Sequence, residues 1–156
     1  MFHIKRAFEA YIDGFQEITM IIPKSNKHTL HSYFHLIQDD DRKTKLPIVS
    51  REEFGDFIKY ILHSPEVLFL EKKYDIEDEF GGRTDLQVGG VIRSKDFDER
   101  YAYDGNDLGV TYTPRSTKFK IWAPTASKVK LRIYQQYEQG EKFTEMVMDR
   151  KESGTW

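Results

Sequence analysis

Three histidines fall close together, His28, His31 and His35, and neighbouring imidazoles are a common start for a metal site. On an extended strand His31, Tyr33 and His35 share one face, while Phe34 and Leu36 share the other. A site needs a third ligand, and no Asp or Glu stands at a persuasive spacing. The expectation is an exposed polar strand face and no metal. Asp104-Gly105-Asn106-Asp107-Leu108-Gly109 opens like a calcium loop, with Asp first, Asn third and Gly sixth. Its fifth position is Leu108 and its twelfth is Arg115, where a bidentate Glu is required, so a turn is expected instead. Carboxylates are plentiful, yet nothing sets two of them on a rigid concave scaffold as glycoside hydrolysis demands. Gly81-Gly82 and Gly89-Gly90 lack the strand–loop–helix context of a phosphate cradle. There is no Gly-x-Ser-x-Gly elbow and no basic–aromatic nucleic-acid motif. No residue set calls for a cofactor.

Trp122 is the sharpest candidate. Lys118 to Ala123 alternates, Pro124 to Ser127 turns, and Lys128 to Tyr134 alternates back, which reads as a hairpin. Phe119, Ile121, Val129, Leu131 and Ile133 then supply one buried face. Lys118, Lys120, Lys130, Arg132, Tyr134 and Trp122 fall on the other. An exposed indole among lysines is either a stacking platform, for example for sugar rings, or a contact covered by another domain. Tyr103, Tyr112 and Tyr134 are further platform candidates.

The elements that position these residues have a period of two. Phe8, Ala10 and Ile12 share one face, and Glu9, Tyr11 and Asp13 the other. Asp13-Gly14 signals a turn, after which Ile18, Met20 and Ile22 alternate until Pro23, which cannot donate to a ladder. Tyr33–Ile37, Leu46–Val49, Phe57–Leu62 and the short run Val67–Leu70 read as further strands. Asp39 to Lys43 reads as a solvated loop, and Glu71 to Phe80 is charged and weakly patterned. Residues 1–92 hold no sustained helical period and suggest an antiparallel sandwich or barrel. Charge, Gly and turn-forming residues dominate 93–109, which reads as a linker to a second module, 110–156.

Composition narrows the function. The 156 residues make one ordinary domain or two small ones, and 24 Lys plus Arg against 26 Asp plus Glu give a net charge of -2. That balance argues against binding nucleic acid through bulk positive charge. The apolar runs are too short to span a bilayer as a helix. Cys is absent, which excludes disulfides, thiolate nucleophiles and Cys-ligated zinc. Aromatics are abundant, with 2 Trp, 9 Tyr and 11 Phe, and suit β-structure and flat recognition surfaces. Met1 to Asp13 carries basic residues with no apolar stretch behind them, unlike a secretory signal, so a cytoplasmic protein is expected.

Tyr103-Asp104-Gly105-Asn106-Asp107-Leu108-Gly109-Val110-Thr111-Tyr112-Thr113-Pro114, followed by Phe119-Lys120-Ile121-Trp122-Ala123-Pro124-Thr125-Ala126, resembles the N-terminal part of type I pullulanases of glycoside hydrolase family 13. In that family the stretch leads into a family-48 carbohydrate-binding module. Arg6 to Asp13 and Thr84 to Arg93 resemble the extra N-terminal β-domain of Bacillus-type members. The resemblance implies an all-β chain: an antiparallel β-sandwich, then an incomplete immunoglobulin-like sandwich. It implies an accessory segment that binds α-glucan (pullulan, amylopectin or limit dextrin) or packs on the catalytic barrel that hydrolyses α-1,6 branch points. No catalytic motif of the family occurs here, and a barrel needs about 250 residues by itself, so the chain as it stands is expected not to be an enzyme. An immunoglobulin-like sandwich wants about 100 residues, and 47 follow Gly109. The second module is therefore expected to be cut short, with an uncovered apolar face.

Overall fold

Alternating sequence folds into strands throughout the computed structural model, which describes residues 6–38, 41–134 and 142–156. Asp39 and Asp40, in the charge run read as a loop, lie outside the described residues, as do residues 1–5. The chain divides into two compact units, Met1–Phe97 and Asp98–Trp156.

In the first unit β1 (Glu9–Gly14) and β2 (Glu17–Pro23) form the expected hairpin, with Ala10 opposite Met20 and Ile12 opposite Ile18. The turn is made by Phe15 and Gln16 rather than by Asp13-Gly14. Asp13 stays in the strand, beside a bulge, because its carboxylate accepts the Gly90 N–H at 2.5 Å. The remaining strands are β3 (Phe34–Ile37), β4 (Lys43–Leu46), β5 (Ile48–Phe54), β6 (Phe57–His63), β7 (Asp75–Asp78) and β8 (Arg83–Val88). They join in the order β4-β3-β7-β8-β1-β2-β6-β5.

β8 belongs to two layers. Arg83 to Asp85 pair antiparallel with β7, and Leu86 to Val88 then pair parallel with β1. The sheet thereby turns back on itself as a sandwich, and rings meet across the interior. Phe34 of β3 lies edge-on to Phe8 at 6.4 Å and to Tyr60 of β6 at 5.5 Å. Ile12, Ile18, Met20, Ile22, Leu36, Leu62 and Ile76 fill the space between the layers.

Several expected elements change. Leu46–Val49 is not one strand: Pro47 separates the end of β4 from the start of β5, and a register shift leaves Val49 65% exposed. Val67–Leu70 is irregular, and Leu68 and Leu70 fill the core from a loop. β7 lies inside the weakly patterned charged stretch. Its inward residues are Ile76 and Asp78, so half of its apolar signal is missing. A 3₁₀ turn (Gly90–Arg93) ends on the first residue of the stretch read as a linker, and that stretch contains a short helix, α1 (Lys95–Tyr101). Ser94 precedes α1, and its Oγ accepts the Phe97 N–H at 3.1 Å.

The second unit contains β9 (Gly109–Thr113), β10 (Ser116–Lys120), β11 (Lys130–Tyr134) and β12 (Phe143–Val147). β9 pairs with β10 and β11 with β12. The expected direct pairing of 118–123 with 128–134 does not form. Instead Ile121 exchanges backbone hydrogen bonds with Trp156 at 2.9 and 3.2 Å, and Ala123 N–H donates to Gly154 at 2.9 Å. Apolar side chains on these strands, among them Val110, Ile133, Met146 and Val147, are exposed. No helix among the described residues is long and apolar enough to cross a membrane.

Candidate functional site

Trp122 is held from two directions. Its backbone bridges Thr155, and its indole N–H donates to the Tyr101 carbonyl at 2.8 Å. The ring remains 42% exposed. The bridge depends on a close approach: Gly154 adopts φ +70°, and a β-carbon there would stand 2.5 Å from Pro124 Cα. Trp156 is buried, its indole donates to the Ala123 carbonyl at 3.1 Å, and the Arg150 guanidinium lies over its ring at 5.3 Å. Arg150 also donates to the carbonyls of Pro124 at 2.7 Å and Ala126 at 3.1 Å. The Trp-Ala-Pro segment is thus clasped by residues 150–156, a partnership that strand alternation within 118–134 could not reveal.

Tyr103 lies on the stretch that follows Tyr101. Its hydroxyl donates to Asp107, and Lys120 donates to both the Tyr103 hydroxyl and the Asp107 carboxylate at 2.7 Å. Hydrogen bonds from Lys120 and then Tyr103 hold the Asp107 carboxyl below its ordinary value, and Asp107 raises Lys120 in return. Gly105 makes room for this arrangement, because a β-carbon there would overlap the Tyr103 ring. The calcium-like run is therefore a turn braced by an aromatic ring and a lysine.

Tyr112 projects from β9 opposite Thr117 and is 75% exposed. Tyr134 sits at the end of β11 opposite Phe143, with ring centroids 5.5 Å apart, and the Arg132 guanidinium lies 4.8 Å over Phe143. Phe143 completes a ring pair that the sequence reading left out. The alternation of Phe143-Thr144-Glu145-Met146-Val147 was the available signal. Hydrogen bonds from Lys130 and then Arg132 keep the Glu145 carboxyl below its usual range on the same hairpin. Of the four aromatic candidates, Trp122 and Tyr103 are tied to one stretch of chain, whereas Tyr112 and Tyr134 stand on separate hairpins. An open apolar cleft of about 550 Å³ runs along the unit, with Leu108, Val110, Phe119, Ile121, Trp122 and Leu131 among its walls.

Of the three histidines, His31 departs from the exposed strand face expected of it, while His28 is exposed and His35 lies on the outer face of β3, opposite to Phe34 and Leu36. His31 precedes β3 and is buried, with Nε2 3.3 Å from Asp78 Oδ2 and its ring stacked on Phe34 at 5.0 Å. Asp78 also accepts the N–H groups of Phe80 at 2.9 Å and Gly82 at 2.7 Å, which explains an inward carboxylate on β7. His28 stacks on Phe80 at 3.9 Å, and His35 meets Tyr33 at 5.1 Å. Among the described residues no three His, Asp or Glu side chains gather to hold a metal ion.

Residues 8–93 match the pullulanase N1-terminal domain, and residues 107–156 match carbohydrate-binding module 48, the isoamylase N-terminal domain. The pullulanase of Bacillus subtilis (strain 168) is 35% identical over 158 residues, covering 100% of this chain and 21% of that protein. A crystal structure of pullulanase complexed with maltotriose from Anoxybacillus sp. LM18-11 aligns with a TM-score of 0.85 at 41% identity, over 97% of this chain and 21% of that one. Pullulanase type I from Bacillus subtilis str. 168, complexed with maltose, aligns at 0.84 and 32% identity over 99% of this chain and 21% of that one. The chain thus spans about one fifth of the length of these relatives. It belongs to the pullulanase N1-terminal domain family, with a carbohydrate-binding module 48 segment from residue 107.

Proposed function

We propose that this chain is an accessory, α-glucan-contacting segment of an enzyme that cleaves α-1,6-glucosidic branch points, the hydrolysis itself being done by a barrel outside these residues. Trp122 is its leading contact. The observation that carries this reading is a half-exposed indole whose N–H is already engaged and whose backbone is clamped, within residues matching a carbohydrate-binding module. A ring held in place loses little freedom when the apolar face of a glucose unit stacks on it. Tyr103, braced by Lys120, and the exposed Tyr112 and Tyr134 offer further rings. Affinity electrophoresis in gels containing pullulan or amylopectin tests the proposal. Migration should be retarded, and Trp122→Ala should relieve most of the retardation. Identical migration of parent and variant with and without polysaccharide defeats it.

A second reading is favoured by a different observation, the open apolar cleft beside β9, β10 and β11. Exposed apolar surface of this kind marks a face that packs on other protein. Here the module stabilises the barrel and binds no sugar alone. Titration with the separately expressed barrel domain discriminates: complex formation supports packing, and sugar-dependent change in indole fluorescence without a complex supports glucan contact.

A further inference from the structure

Asp-Gly occurs twice in this chain, at 13–14 and 104–105, and the two settings differ. An aspartyl carboxyl followed by glycine is open to attack by the glycine's own backbone nitrogen, because no β-carbon hinders the approach and the backbone turns freely. At 13–14 the structure blocks that path. Asp13 and Gly14 end strand β1, Gly14 pairs with Glu17, and the Asp13 carboxylate accepts the Gly90 N–H at 2.5 Å. At 104–105 both residues are exposed and lie between α1 and β9, outside any strand or helix. Among the described residues, no hydrogen bond reaches the Asp104 carboxylate or engages the Gly105 N–H. A loop with few ties reaches the reactive geometry more often than a paired strand does.

The reaction needs no partner but water. The Gly105 nitrogen bonds to Cγ of the neutral Asp104 carboxyl, and the carboxyl hydroxyl leaves with the amide proton as water, closing a cyclic succinimide. Water then adds to one of the two ring carbonyls. Opening at Cγ breaks the new N–Cγ bond and restores Asp104. Opening at the main-chain carbonyl breaks the original peptide bond and leaves isoaspartate, with the backbone running through the β-carbon. Nothing is oxidised or reduced, and the mass is unchanged. The neighbourhood gives this change a consequence. Gly105 packs so closely on the Tyr103 ring that a β-carbon would overlap it. The Tyr103 hydroxyl donates to Asp107, and Lys120 donates to both. An extra backbone methylene between Tyr103 and Gly105 pulls this bracing apart.

We propose that Asp104-Gly105 is a site of spontaneous isoaspartate formation, and that conversion there releases Tyr103, Asp107 and Lys120 from one another. It is a slow covalent ageing of the second unit and does not depend on any sugar contact.

The test is prolonged incubation of the whole chain at neutral pH, then trypsin and mass spectrometry. Peptide 101–115 carries Asp104, and peptide 7–24 carries Asp13. A second peak of unchanged mass should grow for 101–115, with electron-transfer fragmentation placing isoaspartate at 104. Growth for 7–24 should be at least about tenfold slower, since strand opening that costs about 1.4 kcal/mol slows the reaction by that factor. In urea the two sites should react at similar rates, which separates the dipeptide from the fold around it. Asp104→Glu, whose longer side chain disfavours the ring, should abolish the peak. In the aged chain the Asp107 carboxyl, followed by carbon-13 NMR, should titrate closer to an ordinary aspartate. Equal rates at the two sites in the folded chain, a peak that survives Asp104→Glu, or isoaspartate placed at 107 would overturn the site. An isomerised chain whose Asp107 titration is unchanged would overturn its consequence.

Discussion

Gly154→Ala strikes the clasp that holds Trp122. The new methyl would stand 2.5 Å from both Cα and Cβ of Pro124, and the residue would be forced to keep φ near +70°. The left-handed backbone costs a residue with a β-carbon about 1–2 kcal/mol. Forcing a methyl into a packed contact costs about 1–3 kcal/mol. Partial relaxation relieves some of each, so the second unit should lose about 2–4 kcal/mol. Both tryptophans, Trp122 and Trp156, lie in the clasp, so their fluorescence follows this unit while far-UV circular dichroism follows the whole chain. With a urea slope of about 1–3 kcal/mol/M for a small domain, the fluorescence midpoint should fall by at least about 0.7 M. The Trp156 emission should also shift to the red as the ring leaves its buried position under Arg150. A variant with the parent's midpoint and emission would refute the packing of Gly154 on Pro124 and, with it, this account of what positions Trp122.

Three other perturbations test separate parts of the molecule. Asp78→Ala strands the Phe80 and Gly82 N–H groups and the His31 ring in the first unit; it should cost about 2–4 kcal/mol in urea unfolding followed by circular dichroism, and a loss below about 0.5 kcal/mol, the range of ordinary surface changes, would contradict the buried network. Arg6 holds the Asp85 carboxyl below its ordinary 3.8, chiefly by hydrogen bonding. Because the folded value is depressed, that stabilisation is present above the unfolded value and lost as pH falls through the folded one. The stability gap between parent and Arg6→Gln should therefore close on acidification below about pH 3.8, and a gap constant across the acid range would refute the linkage. Gly105→Ala should swing the Tyr103 ring away and release Lys120, letting the Asp107 carboxyl rise toward its ordinary value. Carbon-13 NMR titration of Asp107 reads this directly, and an unshifted titration would show that the ring does not need the glycine.

Much of the first unit was legible because its strands obey a strict inside–outside alternation. Phe8, Ala10 and Ile12 against Ile18, Met20 and Ile22 needed only the period and a turn. What escaped were places where a polar side chain replaces an apolar one inside. β7 has Asp78 where a strand pattern calls for a hydrophobe, because that carboxylate ties His31 to the following turn. The same substitution concealed His31, which reads as a surface residue until its partner 47 positions away is known. Turn chemistry misled in the opposite direction. Asp13-Gly14 is a strong local signal, yet Asp13 is occupied by Gly90 from far along the chain, and the turn moves two residues on. In the second unit alternation leaves Trp122 outward, and it is half-exposed, but its surroundings were not legible. Alternation predicts which side of a strand a ring takes, and it carries no information about residues 150–156 closing over the Trp-Ala-Pro segment.

That closure bears on how Trp122 must be tested. The four strands of the second unit expose most of their side chains, and two-stranded hairpins are marginal by themselves. Much of what orders residues 120–124 therefore comes from the clasp and from the indole bond to Tyr101. Truncation of Trp122 to alanine removes a ring face and a structural strut together, so loss of glucan binding in Trp122→Ala is consistent with either role. Trp122→Phe separates them. It keeps an aromatic face but leaves the Tyr101 carbonyl without the indole donor, at a cost of about 1–3 kcal/mol if that carbonyl stays dry. If the ring is the sugar platform, Trp122→Phe should lower the fluorescence-independent stability measured by calorimetry yet keep most of the retardation in pullulan gels. If the indole bond is what matters, stability and retardation should fall together and Trp122→Phe should behave as Trp122→Ala. The platform account does not survive that second pattern, because a phenyl ring in the same place presents the same kind of apolar face to a glucose unit.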